Sequence, residues 1–330
     1  MANEKNARGL RYYPDDRPGI SRLRRGRGFS YIAPDGTRID DSRERARLKA
    51  MAVPPAYEDV WMSPLPNGHL LATGRDAAQR KQYRYHPNWT AARSETKFDQ
   101  LAAFGDVLPR IRLWVANNLG DGIGSSKTAL AAVLALLDRG SLRPGHPEYS
   151  TENGSYGATT LRARHVDLTD GQTVLSYTAK GGKQVDKTIP GTKLNRVLGQ
   201  IMDLPGAELI SWIDPQGEVR AVRSEMLNAC LDDLTDGIAT AKTFRTWNGS
   251  HAALRVLLES PHASVMDCAK AASKRLHNTP AIARSGYIHP DVLDLADQPH
   301  KTRLRAVSKA AALDHPLLRQ GEAELRALLR

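Results

Sequence analysis

Hydrophobic spacing divides the chain into two dissimilar parts. After a basic, irregular start, Phe29 to Ala33 reads as a strand closed by Pro34-Asp35-Gly36, with a second strand running through Ile39. Arg43 to Met51 predicts a short charged helix ended by Val53-Pro54-Pro55, and Trp61 to Thr73 predicts a hairpin turning near Asn67-Gly68. His86-Pro87-Asn88 interrupts the pattern and suggests a boundary near residue 90. Beyond it Phe98, Leu101, Val107, Leu108, Ile111 and Val115 recur at near-helical spacing, with Pro109 expected to kink or break the helix. Ser126 to Asp138 is a serine-capped apolar helix ended by Gly140. Thr159–Leu168, Thr173–Lys180 and Lys183–Ile189 alternate as three antiparallel strands, the last two joined by Gly181-Gly182. Helices are expected at about 192–203, 224–235, 243–257, 263–276 and 304–328. The expected fold class is α+β: a β-rich domain over 1–90, then a larger, mainly helical domain over 91–330 carrying a three-stranded sheet.

One late stretch, Leu276 to Pro290, combines a helix start with candidate chemistry. Thr279 supplies a hydroxyl N-cap, and Pro280 stands at the first helical position, where a missing N–H costs nothing. Gly286 and Pro290 should end the helix quickly, leaving Asn278 just before it and the Tyr287 phenol at its far end. By itself this is an ordinary place for a half-buried tyrosine.

Charge narrows the partner. The formal net charge is +11 and the pI about 9.7, with 25% charged residues, which suits a folded protein meeting a polyanion. No apolar run approaches the ~20 residues of a membrane span, and no apolar leader follows the N-terminal charges. Cys230 and Cys268 form no C-x-x-C and read as core thiols in a reducing compartment, so a cytoplasmic, nucleoid-associated location is expected. The Arg22-Leu23-Arg24-Arg25-Gly26-Arg27-Gly28 run suits a solvated charged face or nucleic-acid contact. In Gly74 to Pro87, Arg75, Arg80 and Lys81 interleave with Gln82, Tyr83 and Tyr85; the mixture fits either a charged connector or a surface that meets phosphates with cations and bases with rings. Gly120, Gly122, Gly124, Lys127 and Thr128 do not make a phosphate loop, because Asp121 and Ser126 stand where it needs glycine. No metal-ligand spacing occurs, and neither metal nor cofactor is expected.

Further polar groups sit at element ends: Arg143 in Leu142-Arg143-Pro144-Gly145, Lys180 at the hairpin, and Lys242 with Arg245 in Lys242-Thr243-Phe244-Arg245-Thr246. Together with Glu152–Leu161, the Arg80–His86 run, and Asn278-Thr279-Pro280 followed by Tyr287, in this order, they resemble type IB DNA topoisomerases of the bacterial and poxviral kind. The resemblance covers nearly the whole chain. It implies that Tyr287 attacks a DNA phosphodiester to form a 3′-phosphotyrosine, that Arg143, Arg245 and Asn278 bind the phosphate, and that Lys180 is the general acid. It further implies that Lys242 contacts DNA and can assist Lys180, that no nucleotide takes part, and that a monomer relaxes positive and negative supercoils of double-stranded DNA without metal or ATP. Three positions depart from the family pattern: Ala179 replaces the usual glycine before Lys180, Pro144 replaces a small aliphatic residue, and Asn278 stands where viral and eukaryotic members carry histidine. An amide does not titrate, so activity should depend little on pH near the histidine pKa. A tyrosine site-specific recombinase is the nearest alternative, but its second box is usually His-x-x-Arg where this chain has Lys242-x-x-Arg245. A non-catalytic DNA-binding protein is the alternative from another class.

Overall fold

The computed structural model describes residues 9–120, 124–206 and 208–330; Asp121 and Gly122 of the glycine-rich stretch lie outside the described residues. The chain divides into two compact units, one up to Thr96 and one from Lys97 to Arg330.

The first unit is a five-stranded antiparallel sheet with one helix. Its elements are β1 (Ile20–Arg25), β2 (Gly28–Ile32), α1 (Ser42–Ala50), β3 (Glu58–Met62), β4 (Leu70–Arg75) and β5 (Lys81–Tyr85), in the spatial order β2-β1-β3-β4-β5. Ile20, Tyr31, Leu48, Met51, Val60, Met62 and Ala72 form its core. The basic run therefore starts within a strand rather than an irregular segment, and β1 pairs with β2 as a hairpin. Gly26, at φ +54°, permits the tight turn. Arg22 lies over the Phe29 ring at 4.2 Å and donates to the carbonyls of Val53, Pro54 and Tyr57, so its charge is absorbed by backbone. The expected second strand downstream of Pro34 is reduced to an isolated bridge between Ile32 and Arg38, flanked by backbone bonds from Ala33 N to the Thr37 carbonyl (2.8 Å) and from Ile39 N to the Tyr31 carbonyl (2.9 Å).

The helix α2 (Pro87–Asn118) begins at Pro87, so the His86-Pro87 pair opens a helix instead of interrupting the chain. Pro109 does not break it. Phe104, Leu108, Ile111 and Val115 are buried on both sides of the proline, and this packing outweighs one lost backbone hydrogen bond.

The second unit continues with α3 (Ser126–Gly140), α4 (Pro147–Asn153), β6 (Val166–Thr169), β7 (Gln172–Ala179), β8 (Lys183–Pro190), α5 (Thr192–Met202), the ribbon β9 (Ser211–Ile213) and β10 (Val219–Ala221), and α6 (Ser224–Thr235). Then follow α7 (Thr243–Glu259), α8 (Val265–Leu276), α9 (Pro280–Tyr287), α10 (Pro290–Asp294), α11 (His300–Ala306) and α12 (Glu322–Leu328). Strands β6, β7 and β8 form the expected three-stranded sheet, though its first strand begins at Val166. Upstream, the buried Thr159 and Thr160 hydroxyls bond to the Pro144 and Gly157 carbonyls, competing with strand pairing. The expected single helix over 304–328 is instead α11, a short 3₁₀ turn at Ala310–Leu313, and α12. Pro316 and the left-handed Gly321 (φ +88°) separate the pieces. Helix α3 is buried along almost its full length and is the axis of this unit. The molecule is thus α+β, as the spacing predicts.

Candidate active site

The site begins with the end of α3. The last carbonyls of a helix lack intrahelical partners and carry the negative end of its dipole, so they draw donors and cations. Here four consecutive carbonyls are met by side chains. The Asp138 oxygen accepts from Asn248 Nδ2 (2.9 Å), that of Arg139 from Arg275 Nη2 (2.9 Å), that of Gly140 from Lys187 Nζ (2.7 Å), and that of Ser141 from Arg245 Nη1 (2.5 Å). At Gly140 the helix end is closely covered: a Cβ there would lie 2.3 Å from Leu142 Cδ1 and 2.7 Å from Ile189 Cδ1, so these side-chain tips would have to shift.

Two of these donors also hold the end of α8. Lys187 Nζ donates to the Arg275 carbonyl at 2.8 Å, and Arg245 Nη2 to that of Leu276 at 2.9 Å. Helix α8 ends at His277 in the left-handed conformation, and the chain then passes through Asn278 into α9. Thr279 Oγ1 caps α9 by accepting from Ile282 N at 3.3 Å, with Pro280 at its first position as the sequence suggests. Tyr287 is the last residue of α9. Lys97 Nζ donates to the Gly286 carbonyl at 2.7 Å. Gly249 on α7 permits close approach of the same segment, since a Cβ there would meet the Tyr287 carbonyl oxygen at 2.5 Å.

Arg245, only 2% exposed, lies with its guanidinium carbon 5.1 Å from the centre of the Tyr287 ring. Its terminal nitrogens serve the two carbonyls, and its buried Nε has no hydrogen-bond partner among the described residues. Burial works to raise the pKa of the Tyr287 hydroxyl. Arg245, acting by charge and hydrogen bonding, and Arg143 and Lys242, acting by charge, outweigh it and bring the phenol below its ordinary value. Burial and the nearby Arg143 lower Arg245 itself, opposed by Tyr287, but a guanidinium stays charged in water's accessible range. The Asn278 amide is 7% exposed, and neither Oδ1 nor Nδ2 has a hydrogen-bond partner among the described residues. An unsatisfied buried amide is costly and marks a place where a polar group can be received.

Arg143, Arg245, Lys242 and Tyr287 are thus drawn into one electrostatic neighbourhood. Lys180 is exposed and stands just before the Gly181-Gly182 turn, with Nζ 5.6 Å from the centre of the Tyr149 ring. Both turn glycines have positive φ, +81° and +72°. An open cleft of about 520 Å³ borders Pro144, Asp232, Thr240 and Lys242.

Several groups were not singled out from the sequence. Burial, with Lys242 adding repulsion, lowers the Lys97 amine to about 8. Burial, Arg275 and Arg245 lower Lys187 to about 7. Burial, Lys187 and Arg245 take His277 to about 4, so this imidazole is neutral at pH 7. Burial pushes Tyr177, on β7, up to about 12 against the pull of Arg245 and Arg143. Lys187 alone left a readable trace, as a lysine on the inward register of its strand between Val185 and Ile189.

In the first unit, Arg75 donates to the Gln79 carbonyl at 2.9 Å, Arg80 pairs with Asp76 at 2.8 Å, and Lys81 pairs with Asp15 at 2.6 Å. Gln82 Nε2 donates to Asp76 at 3.0 Å. Tyr83 is 48% exposed and stacks on Tyr85, ring centres 6.1 Å apart and planes within 9°. Among the described residues no three His, Cys, Asp or Glu side chains are grouped to hold a metal ion, and no helix is long and apolar enough to cross a membrane.

Comparison with known proteins agrees with this architecture. The family model for the bacterial DNA topoisomerase IB N-terminal domain matches residues 28–76, and that for the eukaryotic DNA topoisomerase I catalytic core matches residues 85–284. The second match contains Arg143, Lys180, Lys242, Arg245 and Asn278 and ends short of Tyr287. The chain is 24% identical over 292 residues to DNA topoisomerase 1B of Acanthamoeba polyphaga mimivirus, spanning 84% of this chain and 87% of that protein. It is 22% identical over 259 residues to DNA topoisomerase 1B of Vaccinia virus (strain Copenhagen), spanning 77% and 79%. The chain belongs to the type IB DNA topoisomerase family, whose members are isomerases.

Proposed function

We propose that the protein relaxes positive and negative supercoils by transient cleavage of one DNA strand, with Tyr287 as nucleophile. The Tyr287 phenol gives its proton to solvent water and its oxygen attacks phosphorus in line; a P–O bond to tyrosine forms at the 3′ side, and the bond to the 5′ oxygen breaks. Lys180, assisted by Lys242, delivers the proton that the 5′ alkoxide needs, since an alkoxide is a far stronger base than a phenoxide. Arg143 and Arg245 neutralise charge gathering on the non-bridging oxygens, and Asn278 adds an uncharged donor. Reversal reseals the strand. The phosphotyrosine conserves the energy of the phosphodiester, so the cycle needs neither ATP nor metal.

The observation that carries this reading is the Tyr287 phenol lowered by Arg245, Arg143 and Lys242 against the effect of its own burial. Domain 1–90 would clamp duplex DNA through Arg75, Arg80, Lys81, Gln82 and Tyr83, and domain 91–330 would supply the chemistry. Binding through phosphates makes affinity steeply salt-dependent and weakly sequence-dependent. The protein would act as a monomer on nucleoid DNA. Plasmid relaxation in EDTA without nucleotide, comparing wild type with Tyr287→Phe, tests the proposal. Wild type should relax the plasmid and the variant should not. Relaxation by the variant, or a demand for magnesium or ATP in the wild type, would sink it.

A further inference from the structure

The outward face of a strand is the ordinary home of a lysine, yet Lys187 occupies the inward one. In β8 it lies between Val185 and Ile189, residues 3% and 1% exposed, and it pairs across the sheet with Leu175, which is fully buried. An amine turned towards an apolar layer must find acceptors there. It finds two, the Gly140 and Arg275 carbonyls at 2.7 and 2.8 Å. These belong to the ends of different helices, α3 and α8, separated by more than a hundred residues of chain.

Each end leads directly into the reacting groups. Past Gly140 come Ser141, whose carbonyl holds Arg245, and then Arg143. Past Arg275 come Leu276, whose carbonyl also holds Arg245, and the unsatisfied Asn278. Arg245 therefore bridges the same two helix ends one residue further along than Lys187 does. We infer that Lys187 is a positioning residue that fixes the ends of α3 and α8 at the separation the Arg245 guanidinium must span, and so holds Arg143, Arg245 and Asn278 in one constellation. The tie does not depend on the charge of the amine, because an unprotonated amine still carries two N–H donors for its two carbonyls. This inference rests on Tyr287 being the nucleophile.

The test is single-turnover cleavage of a duplex that traps the covalent adduct, with full-length enzyme in excess. The rate constant, the reaction amplitude and the DNA Kd are measured separately. Lys187→Met keeps the stem and removes the donors; its rate constant should fall about ten- to a hundredfold, the range expected when reacting groups are displaced by up to an ångström. Its Kd should stay within about twofold of wild type, because the amine meets backbone and not DNA in this assignment. Lys187→Gln, which keeps amide N–H donors, should fall between the two. A variant that merely folds less completely loses amplitude at an unchanged rate constant, and that result would overturn the inference. If Lys187→Met yields no folded protein, the comparison of Lys187→Gln with wild type decides: an equal rate constant overturns the inference and a reduced one supports it. Tyr287→Phe, run alongside, must give no adduct; an adduct there would refute the nucleophile assignment independently of Lys187.

Discussion

Replacing Arg245 with lysine separates charge from geometry at the centre of the site. Both residues are cations, so the Coulombic pull that lowers the Tyr287 phenol is retained in part. The planar fork is not. Arg245 satisfies two buried carbonyls at the C-terminal ends of two helices, α3 and α8, at 2.5 and 2.9 Å, and still has an unpartnered Nε. An ammonium carries three donors, but all on one nitrogen at the end of a shorter stem, so it does not reproduce the two separate terminal nitrogens and the Nε that the guanidinium holds in one rigid plane. Leaving one buried carbonyl unsatisfied costs about 1–3 kcal/mol. At about 2–4 °C per kcal/mol for a domain of this size, thermal unfolding should shift down by roughly 2–12 °C. Losing one preorganised donor to the transition state costs about 10²–10³ in rate. Arg245→Lys should therefore remain folded at 25 °C, bind DNA, and cleave about 10²–10³ times more slowly in single-turnover trapping. Cleavage within about threefold of wild type would refute the reasoning, because charge alone would then suffice and the fork geometry would be irrelevant.

Two further substitutions probe the support of the site. Gly249→Ala places a methyl 2.5 Å from the Tyr287 carbonyl oxygen and 3.2 Å from its Cβ, so the nucleophile segment must move. Single-turnover cleavage should slow by up to about 10²-fold, with a stability loss of about 1–3 kcal/mol; unchanged cleavage would show that the segment shifts without disturbing the phenol. Glu322 is fully buried and accepts from Arg112, Arg319 and the Trp247 indole, the last at 2.9 Å. Burial works to raise its carboxyl, but Arg112 and Arg319 hold it well below the ordinary carboxylate range. Its folded pKa is depressed, so its contribution is present above the unfolded value of 4.5 and is lost as pH falls through the folded pKa. Glu322→Gln should cost about 3–5 kcal/mol at pH 7 and flatten the decline of thermal stability below pH 4.5, as followed by circular dichroism. An unaltered acid limb would mean that Asp138, also depressed and bonded to the same arginines, carries the whole dependence.

What could be read from the sequence was whatever local chemistry decides. Thr279-Pro280 specifies a helix start wherever it lies, and Gly181-Gly182 specifies a tight hairpin, because both depend on backbone torsions and near neighbours. The alternation of β7 and β8 was legible for the same reason. The misreadings occur where tertiary packing overrides local preference. Pro109 is carried inside α2 by buried neighbours on both sides, and the basic β1 is stabilised by carbonyls that lie more than thirty residues away. Residues 304–328 have helical composition, but Arg112, Arg319 and Glu322 draw the last turns into a buried ion cluster that a single straight helix would not bring together. The same limit applies to the candidate site. Arg143, Arg245 and Asn278 were visible as members of a motif, whereas the carbonyls that hold Arg245 belong to positions without distinctive side chains, Ser141 and Leu276. Backbone acceptors carry no mark in a sequence. Their presence is betrayed only by the cations they attract into apolar surroundings, and the lysine between Val185 and Ile189 is the clearest of these.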